Sequence, residues 1–244
     1  MMSLPPLHLS ALFIMLVFGI AFFLFLTVYT CGRRSNLSPE KEGANILRTL
    51  SIIFGWLVFV LIISLTGFLQ DFQAVPPRIL YIVLPPFIGV LLLPFYKNAI
   101  ALLDKLPHFW LIYTQSFRII IGVMLWMLCR YEIIPTQMTF EGMNLDILTG
   151  ISAPFVAYYC FRKKTWSPKI ALIWNIFGLL TLANMMVLFL LSSPYPFRYF
   201  MNEPTNAIQY SLPFVWLPTF VMPFAFLLHV LSIHRLIRKT DGSL

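Results

Sequence analysis

Long apolar runs alternate with short polar stretches along this chain. A helix needs about 20 mostly apolar residues to cross a bilayer. Runs that meet or approach that length lie at residues 8–30, 46–70, 79–96, 109–131, 146–162, 169–191 and 212–235. The pattern predicts an all-α integral membrane protein with seven transmembrane helices, a single polytopic domain over 1–244. The longest loops, 31–45 and 192–211, are too short to fold alone. The first run has no basic region ahead of it and is followed by Arg33 and Arg34, so it reads as a retained helix rather than a signal peptide. The stretch NAIALLDKLPHF (98–109) reads either as a short surface helix or as a linker.

Prolines fall inside these runs: Pro85, Pro86 and Pro94 in the third, Pro154 in the fifth, Pro218 and Pro223 in the seventh. Each removes a backbone donor and can kink its helix. They mark either a bent, openable pathway or only the ordinary abundance of proline in spanning helices.

Composition removes the soluble alternative. Of 244 residues 59% are hydrophobic and only 11% charged, against about 25% charged in soluble domains. The net charge of +8 would point to nucleic acid in a soluble protein. Here its placement says otherwise. Thirteen of the 17 basic residues lie in 31–48, 97–108, 162–169 and 235–244; Arg78, Arg130 and Arg198 occupy the alternate loops, and Arg118 lies within a run. Basic residues concentrate on the cytoplasmic side. The expected topology is therefore N-terminus outside and C-terminus cytoplasmic, multi-pass in the plasma (inner) membrane, with the lipid bilayer as first partner and no role for nucleic acid. Cys31, Cys129 and Cys160 stand far apart in sequence, with Cys129 expected on the other side from the rest, so no structural disulfide is expected.

Arg118 is the one charge expected near mid-bilayer. Such a charge costs at least about 2.5 kcal/mol and faces the bundle interior. Thr114, Gln115, Arg118 and Gly122 share one helical face. No run carries a carboxylate at its middle. Asp146 heads the fifth run, and matching depths across the helices puts it about 18 Å from Arg118 along the membrane normal, beyond a side chain's reach. Tyr158 or Tyr159, Asn175, Thr181 and His229 lie at comparable depth. Either these polar groups and freed carbonyls hold Arg118, or a ligand anion supplies the missing charge, because a guanidinium fork suits carboxylate and phosphate.

Two polar stretches face the expected outer side. PTQMTFEGMNLDILTG (135–150) offers Glu141, Asn144 and Asp146; SSPYPFRYFMNEPTNAIQY (192–210) offers Arg198, Asn202, Glu203 and Asn206. A few polar groups among aromatics suit a small-molecule cleft, and they equally suit ordinary loops at an aromatic belt. Asn144 is a fitting helix cap and Asp146 suits a first turn. Capping leaves Thr139 and Glu141 over, so the cleft hypothesis narrows to Glu141 facing the Arg198–Asn206 loop.

No cofactor is expected. His108 and His229 both lie toward the inner side, where they are the candidate haem ligands, without a companion motif. No metalloprotease, nucleophile-elbow or phosphate-loop motif occurs.

The stretches LPHFWLIYTQSFRI (106–119), MTFEGMNLDILTGISAP (138–154) and SSPYPFRYFMNEPTN (192–206) resemble a family of small uncharacterised bacterial multi-pass membrane proteins. The resemblance covers roughly 100–236; it implies membrane location and carries no activity. The seven runs are also similar in arrangement to the small carriers built as three helices, a linker helix and three helices. Leu84-Pro85-Pro86-Phe87 and Leu217-Pro218-Thr219-Phe220 hint at the repeat, but the Pro-Gln pair of those carriers is absent.

The first expectation is a protein that binds or carries a small anionic or amphipathic solute through a polar interior. Arg118, Gln115 and Asn175 would line that interior, and Glu141, Asn144, Asp146, Arg198, Asn202, Glu203 and Asn206 the entrance. The second is a sensor or assembly partner that docks a membrane protein or another copy of itself. The third is an enzyme using Glu141 and Asp146 at the outer face.

Overall fold

A computed structural model describes residues 5–35 and 38–241; the side chains of 98 and 239–241, Lys239 among them, lie outside the described set. The described residues form helices and irregular segments with no strand. The helices are α1 (Leu7–Arg34), α2 (Pro39–Leu65), α3 (Leu80–Leu92), α4 (Lys97–Leu103), α5 (His108–Tyr113), α6 (Phe117–Arg130), α7 (Asp146–Ala157), α8 (Pro168–Ser192) and α9 (Met222–Asp241). A 3-10 turn at Thr114–Ser116 joins α5 to α6 in one rod. The linker 98–109 resolves into α4 and a turn before α5.

Among the described residues five helices are long and apolar enough to cross a membrane: Leu7–Arg34, Pro39–Leu65, His108–Arg130, Pro168–Ser192 and Leu217–Arg238. The third and fifth runs are helical but shorter, Leu80–Phe95 and Asp146–Arg162. Five of the seven expected spans thus reach crossing length, and the third and fifth, the shorter runs of the sequence, stop short of it. α3 passes into a 3-10 turn that contains Pro94. α7 carries Pro154 and passes into a π segment, Tyr158–Arg162.

Local chemistry sets the helix ends. Ser38 caps α2 by accepting from the Lys41 N–H, with Pro39 in the first turn and Glu40 and Glu42 beside the positive end of the dipole. Ser167 and Pro168 do the same for α8. The seventh run opens with a π segment, Leu217–Val221, that contains Pro218. Pro223 has no N–H for the Thr219 carbonyl, and the Trp56 indole N–H donates to it instead at 2.9 Å.

The connections gather at two ends. At one, Arg34 donates to the Lys105 carbonyl at 3.0 Å and Arg235 reaches Asp104 at 3.1 Å. At the other, Gln70 donates to Ser211 at 3.0 Å and Phe72 packs edge-on against Tyr210 at 4.9 Å. Between them α6 and α7 touch closely. A Cβ on Gly122 would meet Ile147 at 2.8 Å, and one on Gly150 would meet the backbone nitrogen of Ile119 at 2.8 Å. Both glycines give the same antiparallel register, and that register positions the buried polar core.

Candidate functional site

Arg118 is buried to 1% exposure and is paired. Its Nε donates to Asp146 Oδ2 at 2.9 Å, and its Nη2 donates to Asp146 Oδ1. This is a fork-on-carboxylate contact, the strong form of charge-assisted hydrogen bond. Nη2 also donates to Thr181 Oγ1 at 2.9 Å, and Nη1 donates to His229 Nε2 at 2.9 Å. Since an arginine only donates, His229 Nε2 accepts, and the ring proton sits on Nδ1. That nitrogen lies 2.9 Å from Asn175 Oδ1. Asn175 Nδ2 donates to Ser232 Oγ at 2.9 Å, and Ser232 Oγ lies 2.8 Å from His108 Nε2.

A continuous row therefore runs through Asp146, Arg118, His229, Asn175, Ser232 and His108, drawn from α5 to α9. Its inner members are sealed: Asn175, His229 and Ser232 have no exposed surface. Gly178 makes room for it, because a Cβ there would land on the His229 imidazole. Gln115 belongs to this interior by burial, though it donates to the Ala225 carbonyl at 2.9 Å and leaves Oε1 without a partner. Both ring nitrogens of His229 are committed, so an axial haem ligand is not available there.

The contact with Asp146 overturns the expectation that it lies too shallow. Depth matching set Arg118 level with Tyr158 or Tyr159. Gly122 against Ile147 and Gly150 against Ile119 instead set it level with residue 151. The slip is seven or eight residues, roughly 11 Å at 1.5 Å per residue. The cause is the segment before α7, which folds into the protein rather than resting at its surface: Ile134, Met138, Thr139 and Asn144 are all buried. Asn144 holds the turn with two bonds. Its Nδ2 donates to the Met138 carbonyl at 2.9 Å, and its Oδ1 accepts from the Asp146 N–H at 3.1 Å. It thus caps α7 as expected, from one position earlier. Gly142 is required by close approach, since a Cβ would meet Gln137 Cα at 2.6 Å.

The expected outer cleft does not form around Glu141. That side chain is exposed and takes part in no ion pair among the described residues. Gln137 makes the link instead. It exchanges two amide hydrogen bonds with Asn202, at 2.9 and 3.2 Å, and donates to Ser192 at 3.0 Å. Arg198 folds onto its own loop, bonding the Phe200 carbonyl at 2.6 Å, the Asn202 carbonyl and Glu203 at 2.9 Å. Asn206 is fully buried, with Nδ2 toward the Phe189 carbonyl at 3.4 Å. Thr139 closes a local turn onto the Thr136 carbonyl at 2.9 Å. Burial pushes the Tyr210 phenol far above its ordinary range, and its hydroxyl bonds Ser193 at 2.8 Å. Gln137, Ser192 and Asn202 thus tie the two loops together.

At the opposite end His108 opens on a cavity of about 850 Å³. Arg34, Arg162 and Lys164 line it, together with the rings of Phe109, Phe161 and Trp166. Phe161 stacks on His108 at 4.3 Å. A second, apolar cleft of about 760 Å³ opens beside Pro85, Pro86 and Pro223, bringing the prolines of the third and seventh runs to one place.

Sequence reading found the right interior in part: Arg118, Gln115, Asn175, Thr181 and His229. It missed Ser232, Gly178, Gln137 and the role of Asp146. A signal was available for α7 and α8. Asp146, Thr149, Gly150, Ala153 and Ala157 are buried and repeat at helical spacing, as do Ala171, Asn175, Gly178 and Thr181. Stripes of small and polar residues let helices approach and hydrogen-bond inside a membrane. The cavity cations were read only as markers of sidedness.

No curated protein and no solved structure matches the chain. Residues 79–237, which hold the whole polar row and most of the cavity wall, match a family described as a domain of unknown function (DUF8737), and the chain belongs to that family.

Proposed function

We propose that this is a seven-span plasma-membrane protein, N-terminus outside and C-terminus cytoplasmic, that binds a small anionic or amphipathic solute at the inner mouth of its polar interior. The asymmetry of the 17 basic residues supports the orientation. α3 and the α7 segment complete the bundle as short spans. The solute site moves from Arg118 to the His108 cavity, because Arg118 already holds a carboxylate. One observation carries the reading: a cavity of about 850 Å³ has three cations, an aromatic wall and, among the described residues, no carboxylate in its lining. That volume lies within the usual range for small-molecule sites. Neither other reading draws the same support. Asp146 is buried against Arg118, and Gln137 and Asn202 on the outer side bond each other.

The test is ligand quenching of tryptophan fluorescence in purified protein, since Trp110 and Trp166 line the cavity. Decanoate and decyltrimethylammonium, matched in chain length, are titrated in neutral detergent. The anion is expected to bind at least tenfold more tightly, and Arg162→Glu with Lys164→Glu to reverse the order. Equal response to anion and cation overturns the reading. Efflux of the bound anion from reconstituted vesicles then separates carriage from binding alone.

A further inference from the structure

Resting on that reading, we infer that the group taken at this mouth is a phosphate ester on an apolar body, held by Arg34, Arg162 and Lys164. The three cations come from two separate pieces of chain, the end of α1 and the stretch between α7 and α8. Arg34 is the last residue of α1, Arg162 the last of the π segment, and Lys164 sits in the turn before α8. All three are exposed, and among the described residues none forms an ion pair with a carboxylate. Arg34 donates one N–H to the Lys105 carbonyl, and Arg162 rests 5.0 Å above the Phe109 ring, so each is steered while its charge stays uncompensated.

The neighbouring cavity shows the contrast. It measures about 460 Å³ and shares His108, but there Asp104 bonds Arg235 at 3.1 Å and Arg238 at 2.8 Å. The fold neutralises one basic mouth from within and leaves the adjacent one open.

The turn that carries Lys164 is strained. Its φ is 56°, in the left-handed region that a side chain disfavours. The Tyr159 carbonyl holds the turn by accepting from the Thr165 and Trp166 N–H groups at 3.0 and 3.2 Å, and Trp166 stacks on Tyr159 at 4.8 Å. Strain that persists beside a cavity because its surroundings impose it is a mark of a functional position.

The number and arrangement of charges select the ligand. A carboxylate offers two oxygens in one plane and a single charge, which a single guanidinium satisfies. A phosphate monoester offers three oxygens pointing apart and close to two charges. Three cations set around a cavity match the second. The rings of Phe109, Phe161 and Trp166 would cover the apolar body attached to it. Basic pockets between helices on the cytoplasmic side are a recognised setting for phosphate headgroups.

The experiment compares ligands on the unchanged protein, so it does not depend on a variant folding. Full-length protein in neutral detergent is titrated with dodecyl phosphate, dodecanoate and phenyl phosphate. Dodecyl phosphate is expected to bind at least tenfold more tightly than dodecanoate, and Arg162→Gln and Lys164→Gln each to weaken it several-fold while leaving dodecanoate less affected. Binding of dodecyl phosphate alone supports a lipid source, with phosphatidic acid preferred to phosphatidylcholine in vesicles. Binding of phenyl phosphate as well supports a free phosphate ester. Equal affinity for dodecanoate and dodecyl phosphate overturns the phosphate assignment and leaves the anion reading standing. Failure of both long-chain anions to bind overturns both.

Discussion

Removing either member of the Arg118–Asp146 pair should cost far more than removing both. Asp146→Leu leaves a guanidinium sealed at 1% exposure with His229 and Thr181 as its remaining neutral side-chain acceptors. Stripping one partner from a buried pair costs about 3–5 kcal/mol, because the survivor keeps its desolvation penalty and loses its compensation. That is a factor of roughly 10²–10⁴ in the folding equilibrium. Arg118→Met leaves the carboxylate with the Asn144-capped turn as its support and should cost a similar amount. The double variant, Arg118→Met with Asp146→Leu, removes both penalties and fills the space with apolar volume; replacements of this kind are neutral or stabilising in other proteins. The assay is equilibrium unfolding of the purified protein in detergent, followed by far-ultraviolet circular dichroism, in a double-mutant cycle. The expected coupling is at least 2 kcal/mol, with the double variant more stable than either single one. Losses that add to within about 0.5 kcal/mol would refute the pairing and, with it, the register that brings α7 level with Arg118.

Gly178→Ala should displace the His229 ring and cost about 1–3 kcal/mol, read as a lowered thermal midpoint that Gly19→Ala, where nothing lies within 4 Å, does not share. Trp56→Phe should leave the Thr219 carbonyl unpaired and cost about 1–3 kcal/mol; unchanged stability would show that another donor serves that carbonyl. Gln137→Leu and Asn202→Leu should each cost about 1–2 kcal/mol and the pair less than their sum, whereas Glu141→Gln should leave stability unchanged. Burial raises the Tyr210 pKa, so above about pH 10 the unfolded chain loses a proton that the folded chain keeps, and stability falls with rising pH. Below that value Tyr210 adds no pH dependence, and Tyr210→Phe should flatten the alkaline limb of the unfolding curve.

The class of fold was legible because it rests on composition and run length, which survive any error of register. A run such as 169–191 is helical wherever its neighbours sit, and α8 covers it from Pro168 to Ser192. The helix ends were legible for α8 but not for α2, which starts at Pro39 behind the Ser38 cap, ahead of the apolar run at 46–70. The partner of Arg118 was not, because pairing is a property of two helices at once. Depth matching assumes that every run begins at the membrane edge. The α5–α6 rod starts at His108 behind the Pro107 turn, as that assumption requires. The assumption does not hold for α7, where the polar stretch before the helix is itself packed inside. The stretch looked like a solvent loop because it is rich in polar residues, yet Asn144 and Thr139 bond to backbone, Gln137 to side chains, and Asp146 to Arg118. At one end Gln137, Asn144 and Arg198 are bonded internally, whereas at the other Arg34, Arg162 and Lys164 line an open cavity. The difference lies in whether each donor meets an acceptor, as Arg118 meets Asp146 and Arg198 meets Glu203, while Arg34, Arg162 and Lys164 meet no carboxylate among the described residues. For that reason the proposed solute site lies at the end the sequence presented as mere topology.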